Sequence, residues 1–342
     1  MAAPAKTVNV IGALAKIEST YGTAVALTST SDGFRLQYPD RNGIPINIDY
    51  AFDGKVGVNP GNLSDIPLSA PGGKSFSWDA PLRAKGAGAA YSASVVPPDM
   101  HLALQISGFD AAVTTTTTVE KWTYTPQVVT NAYKSATFGL YARGELWPVK
   151  GVVADWSFTF DNPGPPTHTF AMRGIANSDV TDVTLPSITY AGNSVDAPNA
   201  NGITVVIGSF TTNATVFSGS FRLNRQIDPR VALTSGTGHE GFVPGGYSPE
   251  LTLQVSDTAF VGSPYHTSAG LDPIKLREAA TKITVSVQFG STQYNRWKLT
   301  LSNAQLYNVQ PAVNGREAAW DLTFKPSAST PIALDDLSVV FD

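Results

Sequence analysis

The feature that most constrains this chain is an alternation of apolar and polar residues with a period of two, renewed in segment after segment. Ile283-Thr-Val285-Ser-Val287-Gln-Phe289 is the clearest case. Phe76-Ser-Trp78-Asp-Ala80, Ala154-Asp-Trp156-Ser-Phe158-Thr-Phe160 and Leu251-Thr-Leu253-Gln-Val255 follow the same rule. So do Trp297-Lys-Leu299-Thr-Leu301 and Trp320-Asp-Leu322-Thr-Phe324. Successive side chains of a strand point to opposite faces, so these segments predict antiparallel sheets with one dry and one wet face. Trp78, Trp156, Trp297 and Trp320 fall on the dry side, where core is the expected place for them. Two segments predict helices. Asp99 stands as a cap before Met100 to Ile106, and Asp272-Pro273 opens Ile274 to Ala280 with an acidic cap and a proline at the first helical position. The expected fold class is mostly β, with two tandem antiparallel β-sandwich domains, each flanked by one short helix.

A length of 342 residues suggests two domains at about 150 residues each, with one large β domain as the alternative. Internal markers point to duplication. Gly33-Phe-Arg-Leu36 returns as Ser220-Phe-Arg-Leu223, and Pro71-Gly-Gly-Lys-Ser75 as Pro244-Gly-Gly-Tyr-Ser248. A helix follows in each half, then a hairpin: Ala136 to Arg143 with Val152 to Phe160, and Ile283 to Phe289 with Arg296 to Leu301. Each half closes on one more strand, Thr167 to Arg173 and Ala318 to Lys325. The expected division is an N-terminal arm at 1–25, a first domain at 26–176 with a long loop at 40–70, a linker at 177–201, and a second domain at 202–342.

Composition narrows the chemistry. Charged residues make up 15% of the chain, against about 25% in an ordinary globular domain. Lys+Arg is 23 and Asp+Glu 27, for a net charge of −4, without the basic face that coating nucleic acid requires. With no cysteine, disulfides, thiol catalysis and cysteine-based zinc sites are excluded. The apolar stretch Val8 to Ala15 is broken by Asn9 and Gly12 and followed by Lys16 and Glu18, which argues against a cleaved leader. No run of about 18 apolar residues predicts a membrane-spanning helix. Gly236-Thr-Gly238-His-Glu-Gly241 has the spacing of a dinucleotide fingerprint, but Pro244-Gly245-Gly246 follows at once. No helix can start there to receive a pyrophosphate, so a loop is expected. His239-Glu240 lacks the second histidine of a zinc protease helix. His168 and Asp161 flank a turn at Asn162 to Pro166, and His101 is expected on the surface of the first helix. Thr114 to Thr118 is an exposed loop or edge strand. The wet strand faces carry Ser, Thr and Gln with few charges, which suits plain outer surface or the wall of a wide wet channel.

Ala15-Lys16-Ile17-Glu18-Ser19-Thr20-Tyr21-Gly22-Thr23-Ala24 resembles the N-terminal Lys-x-Glu-x-x-Tyr-Gly-Thr signature of tail tube proteins (major tail proteins) of long-tailed, siphovirus-type bacteriophages. The block from Phe138 to Arg173, with Gly144 in its hairpin turn, is similar to the same family. So is the block from Phe221-Arg-Leu through Asp272-Pro and Phe289-Gly290 to Trp320-Asp-Leu-Thr-Phe. The resemblance implies tube-type β-sandwiches, one sheet of each lining a lumen, and rings stacked through arms and long loops. Members with two folds per chain form trimeric rings with pseudo-sixfold symmetry, those with one fold hexameric rings. It implies a structural protein of the virion tail, assembled in the host cytoplasm, with no catalysis and no cofactor or metal. The implied partners are further copies of the chain, the tape measure protein, the tail terminator and the distal tail proteins, with DNA passing through unbound.

The assembly candidates are then Lys16, Glu18 and Tyr21 in the arm, with Asp49, Phe52, Lys55 and Asp65 in the loop. The lumen-facing candidates are Asp155, Asp161, Arg143, Lys298 and Asp321. If Arg143, Arg173, Lys298 and Lys325 share that face, they are expected to pair with Asp155, Asp161 or Asp321 across strands. The alternative function is a β-sandwich adhesin or carbohydrate-binding module, which needs an exposed aromatic platform. An outer-membrane barrel is disfavoured by the two helices and by the final Val340-Phe341-Asp342.

Overall fold

The computed structural model describes residues 9–36, 44–50, 74–82, 97–116, 119–127, 133–142, 144–161, 164–190, 197–198, 203–208, 210–212, 216–231, 239–256, 272–292, 295–327 and 336–342. The first half opens with β1 (Asn9–Ile17), β2 (Gly33–Phe34), β3 (Ile44–Pro45), β4 (Asn47–Tyr50) and β5 (Lys74–Leu82). Helix α1 (His101–Ile106) leads to the hairpin β6 (Phe109–Thr116) and β7 (Val119–Pro126). Then come β8 (Ala136–Ala142), β9 (Glu145–Phe160), β10 (Thr167–Ala176) and β11 (Thr181–Asp182). The second half holds β12 (Thr204–Ile207), β13 (Phe210–Thr212), β14 (Val216–Arg222), a hairpin of β15 (Ile227–Val231) and β16 (His239–Pro244), and β17 (Glu250–Ser256). It ends with α2 (Pro273–Glu278), β18 (Ile283–Phe289), β19 (Trp297–Asn314), β20 (Glu317–Lys325) and β21 (Leu337–Phe341). Among the described residues the molecule is mostly β, with large antiparallel sheets and two short helices.

Pairing reveals one plan used twice. In the first half β1 pairs with β8, β8 with β9, β9 with β10, β10 with β5 and β5 with β4. In the second half β12 pairs with β18, β18 with β19, β19 with β20, β20 with β17 and β17 with β14. In each half one long strand, β9 or β19, serves both layers. β9 pairs with β8 up to Val152 and with β10 mainly from Val153 onward. β19 pairs with β18 up to Ala304 and with β20 from Gln305 onward. A residue with positive φ marks each crossing, Gly151 at 61° and Asn303 at 51°. Such a residue re-aims the strand and shifts its in–out phase, as bulges do.

The two halves are joined edge to edge. Residues 157–160 of β9 pair with 219–222 of β14, Phe158 opposite Phe221. One continuous sheet results, in the order β4-β5-β10-β9-β14-β17-β20-β19, antiparallel at every step. The other layer of the second half runs β13-β12-β18-β19-β21-β7-β6, so the hairpin of the first half completes a sheet of the second. The core between layers is aromatic. Trp78 meets Phe138 at 5.4 Å and Phe76 meets Trp147 at 5.6 Å, both edge-on. At the junction Trp156 lies 4.9 Å from Phe221, and Phe158 5.2 Å from Trp297. Trp78, Trp156 and Trp297 are buried as expected, whereas Trp320 is only partly buried against the same core.

Several local expectations are corrected. Asp99 does not cap α1, whose N-cap Met100 has no side-chain cap bond. It pairs instead with Arg35 at 3.5 Å. Asp272 does cap α2, accepting from the amides of Ile274 and Lys275. His101 is no surface residue of the helix: its ring packs edge-on against Trp122 and its Nδ1 lies 2.9 Å from the Tyr124 hydroxyl. His239 to Gly241 belong to β16, while 232–238 lie outside the described residues. Gly33-Phe34 is not the counterpart of Ser220-Phe221, because β2 pairs with β1 whereas β14 holds the position of β4. The segment around 183–190 lies against the first half: Val183 donates to the Gly144 carbonyl, Thr189 to that of Ser29, and Tyr190 bridges to Gly33.

Candidate assembly site

The eight-stranded sheet turns one face to its core and the other to water, except where the β15–β16 hairpin covers Val153 and Ile175 on that second face. The wet face follows from phase: Trp78, Trp156, Met172, Leu253 and Leu322 are buried, so their strand neighbours point outward. Across the sheet Thr159, Ser220, Thr252 and Thr323 stand side by side, Thr159 opposite Ser220, Ser220 opposite Thr252, and Thr252 opposite Thr323. Hydroxyls and amides dominate. Five acids (Asp79, Asp155, Asp161, Glu250 and Asp321) share the face with three bases (Arg173, Arg222 and Lys325). Some of these charges have local partners. Lys325 pairs with Glu250 at 3.4 Å rather than with the expected Asp155, Asp161 or Asp321, and lies over the Tyr307 ring at 4.2 Å. Gln254 donates to Asp321 at 3.0 Å, and Arg222 registers with Glu250. A polyanion meets no continuous basic track here.

The lumen-facing candidates therefore divide. Asp155, Asp161 and Asp321 share the wet face. Lys298 does not: it registers with Gln288 and Val340 in the other layer, because β19 changes layer at Asn303. Arg143 lies outside the described residues. Asp155 also braces the chain. Its carboxylate accepts the backbone amides of Arg225 at 2.9 Å and Trp156 at 3.0 Å. Desolvation raises its pKa, and those two amide bonds work against the rise. It thereby brackets the chain leaving β14 onto β9.

Arg225, which sequence reading missed, completes that bracket. It is buried, and its Nη1 donates to the Ser107 carbonyl at 2.7 Å. Its guanidinium sits 4.9 Å from the Tyr133 ring centroid and 6.0 Å from that of Tyr247. Gly108, at φ 83°, leaves room for it: a Cβ there would meet Nη1 at 2.1 Å. No short motif announces such a residue, since its partners lie 70 and 118 positions away.

Of the arm candidates, Glu18 and Tyr21 are held inside the chain. Residues 9–17 form β1, and Glu18 is 6% exposed. Its carboxylate accepts from the Gly22 amide at 2.8 Å, the Gly151 amide at 2.9 Å, the Thr137 hydroxyl at 2.8 Å and the Ser135 hydroxyl at 2.5 Å. Four donors satisfy a buried carboxylate almost fully, which is what makes its burial affordable. Tyr21 donates its hydroxyl to the Phe242 carbonyl of β16. Burial, with the Glu18 charge nearby, pushes the Tyr21 pKa to about 12. Around it Phe242, Val153 and Ile175 form a second small core, packed by Ile227. The Glu-x-x-Tyr-Gly spacing is thus a latch that pins the β15–β16 hairpin of the second half onto the first. Lys16 pairs with Asp32 at 3.7 Å with its side chain half exposed. Asp49 lies on β4, opposite Ser75. Phe52, Lys55 and Asp65 lie outside the described residues.

Among the described residues no group of three or more His, Cys, Asp or Glu is placed to hold a metal ion, and no helix is long and apolar enough to cross a membrane. No protein-family model matches the chain, and no curated protein matches it.

Proposed function

We propose that this chain is the subunit of a phage tail tube, a structural virion protein that assembles into stacked rings around a conduit for DNA. The observation that carries this reading is the eight-stranded sheet: two halves with the same strand order lie edge to edge, presenting a polar face that carries charges of both signs. Repetition of such a unit about an axis generates a closed wall, as heterologous contacts do when their rotation closes. A wall of hydroxyls and mixed charges with more acids than bases lets a polyanion slide where a basic one would hold it. Two equivalent sheets per chain fit a ring of three copies with pseudo-sixfold symmetry. Asp79, Asp155, Asp161 and Asp321 then face the conduit, and the tape measure, tail terminator and distal tail proteins are the partners along it. An aromatic glycan platform finds no support in Trp78, Trp156 and Trp297, which are buried.

The test is negative-stain electron microscopy of the purified protein at increasing concentration. Hollow tubes or rings with threefold end-on views are expected. Sixfold views would replace the trimer by a hexamer, and solid fibres or unassociated particles would overturn the reading.

A further inference from the structure

β10 places His168 beneath the seam where the two halves meet. Its ring is fully buried and packs on both halves: Trp156 stacked at 6.1 Å, Phe158 tilted at 5.2 Å and Trp297 edge-on at 4.9 Å. Leu82 of β5 is its register partner on the other side. None of these neighbours carries a charge, and burial alone lowers its pKa.

The hydrogen bonding makes this site intolerant of a second proton. Nδ1 accepts from Trp156 Nε1 at 3.3 Å, so the neutral ring holds its proton on Nε2. Nε2 has no partner among the described residues, and neither has the indole Nε1 of Trp297. Protonation would turn Nδ1 into a donor aimed at a donor and leave an imidazolium without an acceptor in a dry site. His101 meets no such conflict. Its Nδ1 lies 2.9 Å from the Tyr124 hydroxyl, which accepts as readily as it donates, although burial and the Lys134 charge oppose its protonation.

The seam above His168 is narrow. β9 and β14 join over 157–160 and 219–222, and β7 and β21 over 122–124 and 339–341. Rings span both junctions. Trp156 and Phe158 pack on Phe221 at 4.9 and 5.4 Å, and Phe341 lies between Trp297 at 6.5 Å and Tyr124 at 5.7 Å. Few backbone bonds therefore hold the halves together, and the apolar contact beneath them includes the one ring that cannot take a charge in place.

We propose that protonation of His168 parts the two halves at this seam, β9 from β14 and β7 from β21, while each half keeps its own strand pairing. The halves form an acid-operated joint, which opens because water then reaches the imidazolium. The joint is a property of the single chain and stands apart from the tube reading.

The test is hydrogen exchange followed by mass spectrometry on the full chain at pH 7 and pH 5, corrected for intrinsic amide rates. With a pKa of about 3 in place and about 6.5 once exposed, opening of the seam should rise about 25-fold. The rise should be confined to 157–160, 219–222 and 337–341, with β8 and β20 as protected as at pH 7. His168→Gln keeps an acceptor for Trp156 and does not titrate, so it should lose the rise. A chain locked by Ser157→Cys with Arg222→Cys should lose it too. These positions lie opposite one another across the seam, within disulfide range at about 4.5–5.5 Å between Cα atoms, and no native cysteine competes. The locked chain retains His168 and decides the matter even if His168→Gln does not fold. An equal rise in every strand, no rise at the seam, or a seam rise that survives in either variant overturns the proposal.

Discussion

β9 and β19 are one design used twice, yet their outer arms meet different fates. Each crosses from one layer to the other at a left-handed residue and pairs with the closing strand of its half. The arm of β9 ends in Trp156, Phe158 and Phe160, all buried. The arm of β19 ends in Pro311 and Val313, both exposed. The difference is one of succession: the first arm is covered because a second half follows it in the chain. Burial here is set by what comes next, and the comparison can be broken or sharpened by experiment.

The largest expected effect is at the covered arm. Trp156→Ala should destabilise the dilute protein by about 3–5 kcal/mol, the usual cost of emptying a large aromatic site. Val313→Ala should stay within about 0.5 kcal/mol. Denaturant unfolding of both variants checks this, and equal losses would mean that the arms are not differently covered.

Acid should probe the same place. His168 is fully buried beneath the β9 arm, its Nδ1 accepting from Trp156 Nε1 at 3.3 Å. Burial lowers its pKa to about 3, against about 6.5 in the unfolded chain. Between those values the unfolded chain binds the proton and the folded one does not. Its contribution is therefore whole above about pH 6.5 and lost as pH falls, by about 1.4 kcal/mol per pH unit. Stability should drop by about 2 kcal/mol between pH 6.5 and 5, and His168→Gln should flatten much of that slope. An unchanged slope in the variant would assign the acid sensitivity elsewhere, with His101, lowered to about 4 by burial and Lys134, the next group to change.

Among the described residues the latch has no match in the second half, so its loss should weaken one side. Glu18→Gln replaces an acceptor by a donor that faces four donors, and should cost about 1.5–3 kcal/mol by denaturant unfolding. Tyr21→Phe removes a single hydrogen bond, for about 1 kcal/mol. Hydrogen exchange should localise that loss to the β15–β16 hairpin; a uniform change across the chain would contradict the latch.

Alternation made the strands legible because one face is buried and the other wet. Ile283 to Phe289 is β18 residue for residue, and the closing strands match to within a few positions. β19 was legible only to Leu301, since Asn303 breaks the period and the arm beyond it resumes in another phase. The Phe-Arg-Leu marker misled because three residues report composition and pairing is decided by neighbours. The Pro-Gly-Gly marker does precede true counterparts, β5 and β17. Glu18 stood out in the sequence, but its role did not: its side-chain donors at 135 and 137 and the Gly151 amide come from positions more than a hundred residues away. Nothing local says that a carboxylate will be surrounded rather than solvated. Lys298 was misplaced for the same reason as the β19 arm, by a phase carried across a bend.

β7 finds its neighbour in β21, Tyr124 opposite Val339. During synthesis the strand that completes this sheet leaves the ribosome some two hundred residues after the hairpin that receives it. At about 5–20 residues per second that is a wait of roughly 10–40 s. Through that interval β7 shows an open edge to everything else in the cell. The first half therefore emerges as a client rather than a finished product, and a chain that stops early leaves that edge without its closing strand.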